Sequence, residues 1–317
     1  MAGVHPGVER PRTVLPVRGW RCVVYRSPPM TPEVLIAAGD ELGEGPHWDD
    51  AAGELLRVDI SRGRVHRLEP VSGRTSTIEL GDIVGFAIPR VSGGLVVGLR
   101  RAVVAIDPDG TRHTVTTVEP DRAGNRLNDA RCDATGRLWA GTMAMDEATP
   151  DAALYTITAD GTTERVVTGL TISNGLGWSP DTTRLYLADS PTRRVDVFDH
   201  DPATGAISSR RGFLRIAEGD GFPDGLTVDA EGGIWIALFG GGQVRRYTTK
   251  GDLDAVVALP VTNVTSIAFG GPDYADLFVT TARHHLDPAE RAAQPLAGAV
   301  FVLRPGVRGR PAGCFAG

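Results

Sequence analysis

Asn174-Gly-Leu-Gly-Trp178 and Asp224-Gly-Leu-Thr-Val228 are two copies of one short phrase. Reading outward from this pair finds four more. Asn128-Asp-Ala-Arg-Cys132, Val84-Gly-Phe-Ala-Ile88 and Glu44-Gly-Pro-His-Trp48 lie upstream, and Thr265-Ser-Ile-Ala-Phe269 lies downstream. Their first residues stand 40, 44, 46, 50 and 41 positions apart. Six copies at that period, each followed by short strands, predict an all-β chain: a six-bladed β-propeller with four-stranded antiparallel blades around a central channel.

Each copy leads into the same grammar. Asp133-Ala-Thr-Gly136 precedes Arg137-Leu-Trp-Ala-Gly141, and Asp229-Ala-Glu-Gly232 precedes Ile234-Trp-Ile-Ala237. Turn residues between runs of β-formers are hairpin signals. A third strand follows, such as Arg194-Val-Asp-Val-Phe198, and then a more polar outer one. Helix-period segments are essentially absent. The phrase therefore begins the innermost strand of each blade, at one mouth of the channel. The loops Met145 to Asp151 and His284 to Gln294 are long enough to overhang that mouth.

The equivalent first positions then face one axis, and they include Glu44, Asn128, Asn174 and Asp224. Alone, Asn-Gly or Asp-Gly is an ordinary turn dipeptide. In common register with Glu44-Gly-Pro46, which is a poor turn former, these residues bring carboxylate and amide oxygens together. Two like charges facing one axis repel without a cation. Glu44, Asn174 and Asp224 suit one divalent cation that keeps several waters, from the set Ca²⁺, Mg²⁺, Mn²⁺, Zn²⁺ or Fe²⁺.

The bulk properties agree with one closed domain. The chain has 317 residues and a 41% hydrophobic fraction, ample for a buried core, and 40 glycines suit many tight turns. A net charge of −6 argues against nucleic acid as a partner. No run of 18 apolar residues exists, so no membrane span is expected. Three cysteines, Cys22, Cys132 and Cys314, cannot all pair within the chain, and a reducing cytoplasm is the expected compartment. Cys132 sits at a repeat position that elsewhere carries apolar residues such as Trp or Val, which predicts a buried structural thiol. Residues 1–31 lack the repeat and hold five arginines, five prolines and one acid, Glu9. They read as a disordered extension, or as sequence upstream of a start at Met30. Residues 32–317 form the propeller.

Other candidates carry less. His284-His285 has neither an HxxxH spacing nor a third partner in sequence, and reads as surface loop. His47 reads as a packing or supporting residue. Trp48, Trp139, Trp178 and Trp235 occupy strand positions and read as core between blades. No Gly-x-Ser-x-Gly elbow exists.

The chain resembles the SMP-30/gluconolactonase/regucalcin (LRE-like) family. The residues that carry this are Leu42-Gly-Glu-Gly-Pro-His-Trp48, Arg126-Leu-Asn-Asp129, Trp139-Ala-Gly-Thr-Met143, Ile172-Ser-Asn-Gly-Leu176, Pro223-Asp-Gly-Leu226 and Phe315-Ala-Gly317. The resemblance runs from about Pro32 to Gly317. It implies a propeller that hydrolyses sugar-acid lactones, small molecules such as gluconolactone or a pentonolactone, with one bound divalent metal. Glu44, Asn174 and Asp224 would be the ligands, and Asp224 also the general acid/base. Arg126 and Asn128 would bind the sugar, with an Arg126–Asp129 ion pair as the structural alternative for the arginine. The position matching a family glutamate after Gly-Thr-Met is Asp146, one methylene shorter. Whether Asp224 takes the water proton or only orients the water stays open. So do two other functions: a non-catalytic propeller that binds calcium or a partner, and an esterase for a different lactone or ester, which predicts a more apolar mouth.

Overall fold

The structure is a computed structural model, and it describes residues 30–317. What was expected of residues 1–31 lies, apart from Met30 and Thr31, outside the described residues. Six four-stranded antiparallel sheets form the ring of a six-bladed β-propeller, as the repeat predicts. The innermost strands are Gly43–Asp49, Val84–Pro89, Asn125–Cys132, Ser173–Trp178, Phe222–Val228 and Val264–Gly270. Each contains one copy of the phrase.

The ring closes through a strand that the repeat does not reveal. Glu33–Ile36 is the outermost strand of the sixth blade and pairs with Val300–Leu303, with Glu33 opposite Val302 and Val34 opposite Phe301. The two ends of the propeller are thereby hydrogen-bonded into one sheet. The short helix Pro288–Ala293 departs from the all-strand expectation. Asp287 caps it by accepting from the Ala289 and Glu290 amides, and Glu290 accepts from the Asp287 amide in return.

Burial falls from axis to rim. Val84–Pro89 is buried throughout, whereas the outer strand Arg74–Glu79 is largely exposed. The core lies between blades: Phe86, Ile88 and Val96 of the second pack with Leu127, Leu138 and Tyr155 of the third. Phe315 joins that cluster, its amide bonded to the Pro89 carbonyl at 2.9 Å. Trp139 and Trp235 are fully buried, and each donates Nε1–H at 2.9 Å to the aspartate of its own repeat turn, Asp133 or Asp229.

Two local devices aim the phrase at the axis. The pairing register shifts within the phrase of every innermost strand, for example between Ser173 and Leu176 and between Pro223 and Leu226. Such a bulge redirects a side chain away from ordinary strand alternation. Glycine at the second position lets neighbouring strands approach. A Cβ at Gly175 would stand 2.2 Å from the Leu226 amide, and one at Gly225 would stand 2.0 Å from Ser266 Oγ.

Candidate active site

The inner strands place Glu44, Asn174 and Asp224 at the floor of a cavity of about 380 Å³ at one mouth of the channel. They are 7%, 8% and 6% exposed. Glu44 comes from the first blade, and its Oε2 accepts from the Gly45 amide at 2.8 Å. Asn174 comes from the fourth, and its Nδ2 donates to Ser190 Oγ at 3.1 Å. Ser190 Oγ donates in turn to the Pro223 carbonyl at 2.7 Å, beside Asp224 of the fifth blade. With Nδ2 engaged, the amide oxygen is the Asn174 group free for a cation.

Both carboxyls hold their protons too strongly for free acids. Burial, and then the nearby Asp129, push Glu44 up to about 8. Burial, and then Glu44, raise Asp224 well above the usual carboxylate range. Asp224 Oδ1 is buried and has no hydrogen-bond partner. A buried oxygen without a partner, beside a second carboxyl and an oriented amide, fits a hard or borderline divalent cation. The three expected ligands are thus brought together.

Arg126 and Asn128 line the same cavity. Arg126 Nη1 donates to Asn128 Oδ1 at 2.8 Å and to the Leu127 carbonyl at 2.9 Å, and Asn128 Nδ2 donates to the Ser173 carbonyl at 3.1 Å. The structural alternative, an Arg126–Asp129 pair, is not formed: Asp129 Oδ1 accepts from the Ala130 amide and Oδ2 has no partner. Burial lowers Arg126 to about 10, which leaves it a cation at neutral pH, and Glu44, Glu147 and Asp224 support that charge. The strand start is fixed from outside the cavity, where Asn125 Nδ2 donates to Glu119 Oε2 at 2.8 Å and to Asp151 Oδ1 at 2.9 Å.

Asp146 lies apart from this group. Its carboxylate is exposed and accepts from the Ala148 and Thr149 amides and the Thr149 hydroxyl, which hold it down to about 2. The next residue, Glu147, lines the cavity instead, together with His284 and His285. Sequence spacing points to the loop but not to the residue, because Glu147 has φ +57, a left-handed turn that redirects the chain. Ser190 was also missed, since its role needs the fold that brings it against Asn174 and Pro223. Leu42, Ile60, Met143, Ile172, Phe222 and Phe239 complete the walls, so a polar floor lies beneath apolar sides.

A smaller cavity of about 150 Å³ is lined by His47, Cys132 and His200, with Arg310 to Gly313 of the C-terminal segment along one side. His47 thus borders this cavity rather than the one at the mouth, and burial followed by Arg131 depresses it to about 3, so it is neutral. Burial likewise pushes the Cys132 thiol up, in keeping with a structural role. Among the described residues no helix is long and apolar enough to cross a membrane.

Residues 42–283 match the model of the SMP-30/gluconolactonase/LRE-like region. Regucalcin of Danio rerio is 37% identical over 293 residues, 90% of this chain and 98% of that protein. Among solved structures, a calcium-binding regucalcin of Agrobacterium tumefaciens str. C58 superposes with a TM-score of 0.85 at 31% identity, covering 89% of this chain and 96% of that one. A luciferin-regenerating enzyme superposes with a TM-score of 0.84 at 34% identity, covering 90% and 99%. The chain belongs to the SMP-30/gluconolactonase/LRE-like family.

Proposed function

We propose that this chain is a lactonase that hydrolyses the ring ester of a polyhydroxylated acid, an aldonolactone, with one divalent cation held by Glu44, Asn174 and Asp224. The observation that carries this reading is the partnerless buried Oδ1 of Asp224, set in one cavity with the Arg126–Asn128 pair. When bound, the cation polarises the lactone carbonyl and makes water easier to deprotonate. Ca²⁺ has the support of the calcium-binding relative, and the other divalent cations fit the same oxygen donors.

The chain's own residues do the rest. Arg126 Nη donors and the Asn128 amide hold the substrate hydroxyls, fixing the ring over the floor. Water adds its oxygen to the carbonyl carbon, and the Asp224 carboxylate takes the proton lost in that step through the oxygen not given to the cation. The bond from the acyl carbon to the ring oxygen then breaks, and Asp224 returns the proton to that oxygen, giving the open hydroxy acid. The free thiols Cys132 and Cys314 suit work in a reducing cytoplasm.

A second reading has a specific observation behind it. The apolar walls, with Phe222 and Phe239, favour a lactone or ester bearing a hydrophobic substituent. A panel of aldonolactones and alkyl-substituted lactones, followed by proton release at fixed pH, separates the two. Faster turnover of the polyhydroxylated set supports the aldonolactonase. Preference for alkyl lactones moves the assignment to the esterase, and no turnover above the spontaneous rate moves it to a cation-binding propeller.

A further inference from the structure

A second cluster of donor atoms lies at the rim of the same cavity. One donor atom each from Glu147, His284 and His285 lie within 4.8 Å of one another. His285 Nε2 approaches Glu147 Oε1 at 3.5 Å, and the two imidazole centroids are 3.9 Å apart. Consecutive side chains on an extended backbone point to opposite sides. Here His285 has φ +64, so the turn carries both rings to one side, and Glu147 in the facing loop has φ +57. Non-glycine residues hold such conformations at a cost in backbone strain, and they cluster at ligand-holding sites.

The cluster is anchored on both sides. The His284 amide donates to the Glu41 carbonyl at 2.8 Å, and the His284 carbonyl accepts from Asn263 Nδ2 at 2.7 Å. The capped helix begins three residues after His285, and the His285 ring meets Phe239 edge-on at 6.2 Å. On the other loop, the Glu147 amide donates to the Ala144 carbonyl at 3.0 Å. Apart from the approach to Glu147, neither imidazole has a hydrogen-bond partner among the described residues.

We propose that Glu147, His284 and His285 form a second metal site, for a borderline transition-metal ion of the Zn²⁺, Co²⁺ or Cu²⁺ class, that ties the third-blade loop to the sixth-blade loop across the mouth. Two imidazole nitrogens and one carboxylate oxygen select this class, whereas the floor offers oxygen donors only. Three protein donors leave further coordination positions for water. The site stands apart from the lactonase reading, since it requires no turnover and no ion at the floor.

The probe is Cu²⁺ added to the full-length Asp224→Asn protein, read by electron paramagnetic resonance. The expected result is one tightly bound ion per chain with superhyperfine coupling to imidazole nitrogen. That signal should vanish when His284→Ala and His285→Ala are added, with circular dichroism unchanged. Glu147→Gln should weaken the affinity about tenfold while keeping the nitrogen coupling. Absence of nitrogen coupling in the Asp224→Asn protein, or its persistence after both histidines are replaced, would overturn the proposal. If the paired histidine replacement unfolds the protein, His285→Ala alone decides: coupling to two nitrogens should fall to one, and an unchanged two-nitrogen pattern would overturn the proposal.

Discussion

Ser190 Oγ accepts the Nδ2–H of Asn174 at 3.1 Å while donating its own hydrogen to the Pro223 carbonyl at 2.7 Å. One hydroxyl therefore orients an expected metal ligand on the fourth blade and ties it to the strand that carries Asp224. Groups that orient ligands change metal affinity by about 10- to 100-fold when removed. Ser190→Ala should weaken divalent-cation binding by about tenfold at the low end of that range, as measured by isothermal titration. Unchanged affinity would mean that Asn174 is held by packing alone.

Gly175 lets the fourth and fifth blades meet, because a Cβ there would come within 2.5 Å of the Asp224 carbonyl. Both nearest groups are backbone, so neither can rotate away. Overpacking of this kind costs about 1–3 kcal/mol. Gly175→Ala should lower the denaturation midpoint accordingly and also weaken cation binding, since it displaces Asp224 relative to Asn174. A stability loss with unchanged cation affinity would show that the floor does not depend on this approach.

The two floor carboxyls give the metal-free protein a pH dependence of known sign. Glu44 is raised from 4.5 to about 8, and Asp224 is raised as well. The folded chain therefore keeps protons that the unfolded chain releases. The resulting stability is fully present below the unfolded values and is lost as pH rises through the folded ones. His47, depressed from 6.5 to about 3, acts oppositely, and its contribution is lost only as pH falls below 6.5. Above pH 6.5 the opposing contribution of the depressed His47, His66 and His284 fades and the raised carboxyls outweigh it, so the Tm of metal-free protein should fall across the window toward pH 8. Saturating divalent cation should flatten the fall, and Glu44→Gln should reduce it. A Tm that rises across the window in metal-free protein would contradict the proton-holding floor.

Arg126 reaches Asn128 Oδ1 and the Leu127 carbonyl through one guanidinium nitrogen, leaving the rest of the fork for a ligand in the cavity. Lysine keeps the charge but not the fork. A hydrogen bond to a charged group contributes about 1.5–3 kcal/mol, so Arg126→Lys should lower kcat/KM by about 10- to 100-fold. Initial-rate kinetics should place most of that loss in KM for a residue that holds substrate hydroxyls. A loss confined to kcat would reassign Arg126 to the bond-breaking step.

The repeat made the ring, the inner strands and the Glu44, Asn174 and Asp224 floor legible in sequence, because equivalent positions in a cyclic fold must face one axis. What stayed hidden depends on local backbone geometry. The closing strand Glu33–Ile36 belongs to no repeat unit and takes its partner, Val300–Leu303, from the other end of the chain. Glu147 rather than Asp146 enters the cavity because of a left-handed turn that no residue type announces. The same kind of turn at His285 brings together a histidine pair that sequence spacing reads as surface loop. His47 follows the phrase-opening Glu44 by three residues, yet the bulge leaves it bordering a different cavity.

The central claim is that the Glu44, Asn174 and Asp224 floor, loaded with a divalent cation, drives lactone hydrolysis. The direct test is proton release from an aldonolactone by chelator-treated protein, with cations then restored singly to the wild type and to Asp224→Asn. Loss of turnover on chelation, recovery with a cation in the wild type and none in Asp224→Asn, with both proteins folded, is the expected result. Full turnover in Asp224→Asn, or turnover indifferent to chelation, would contradict it.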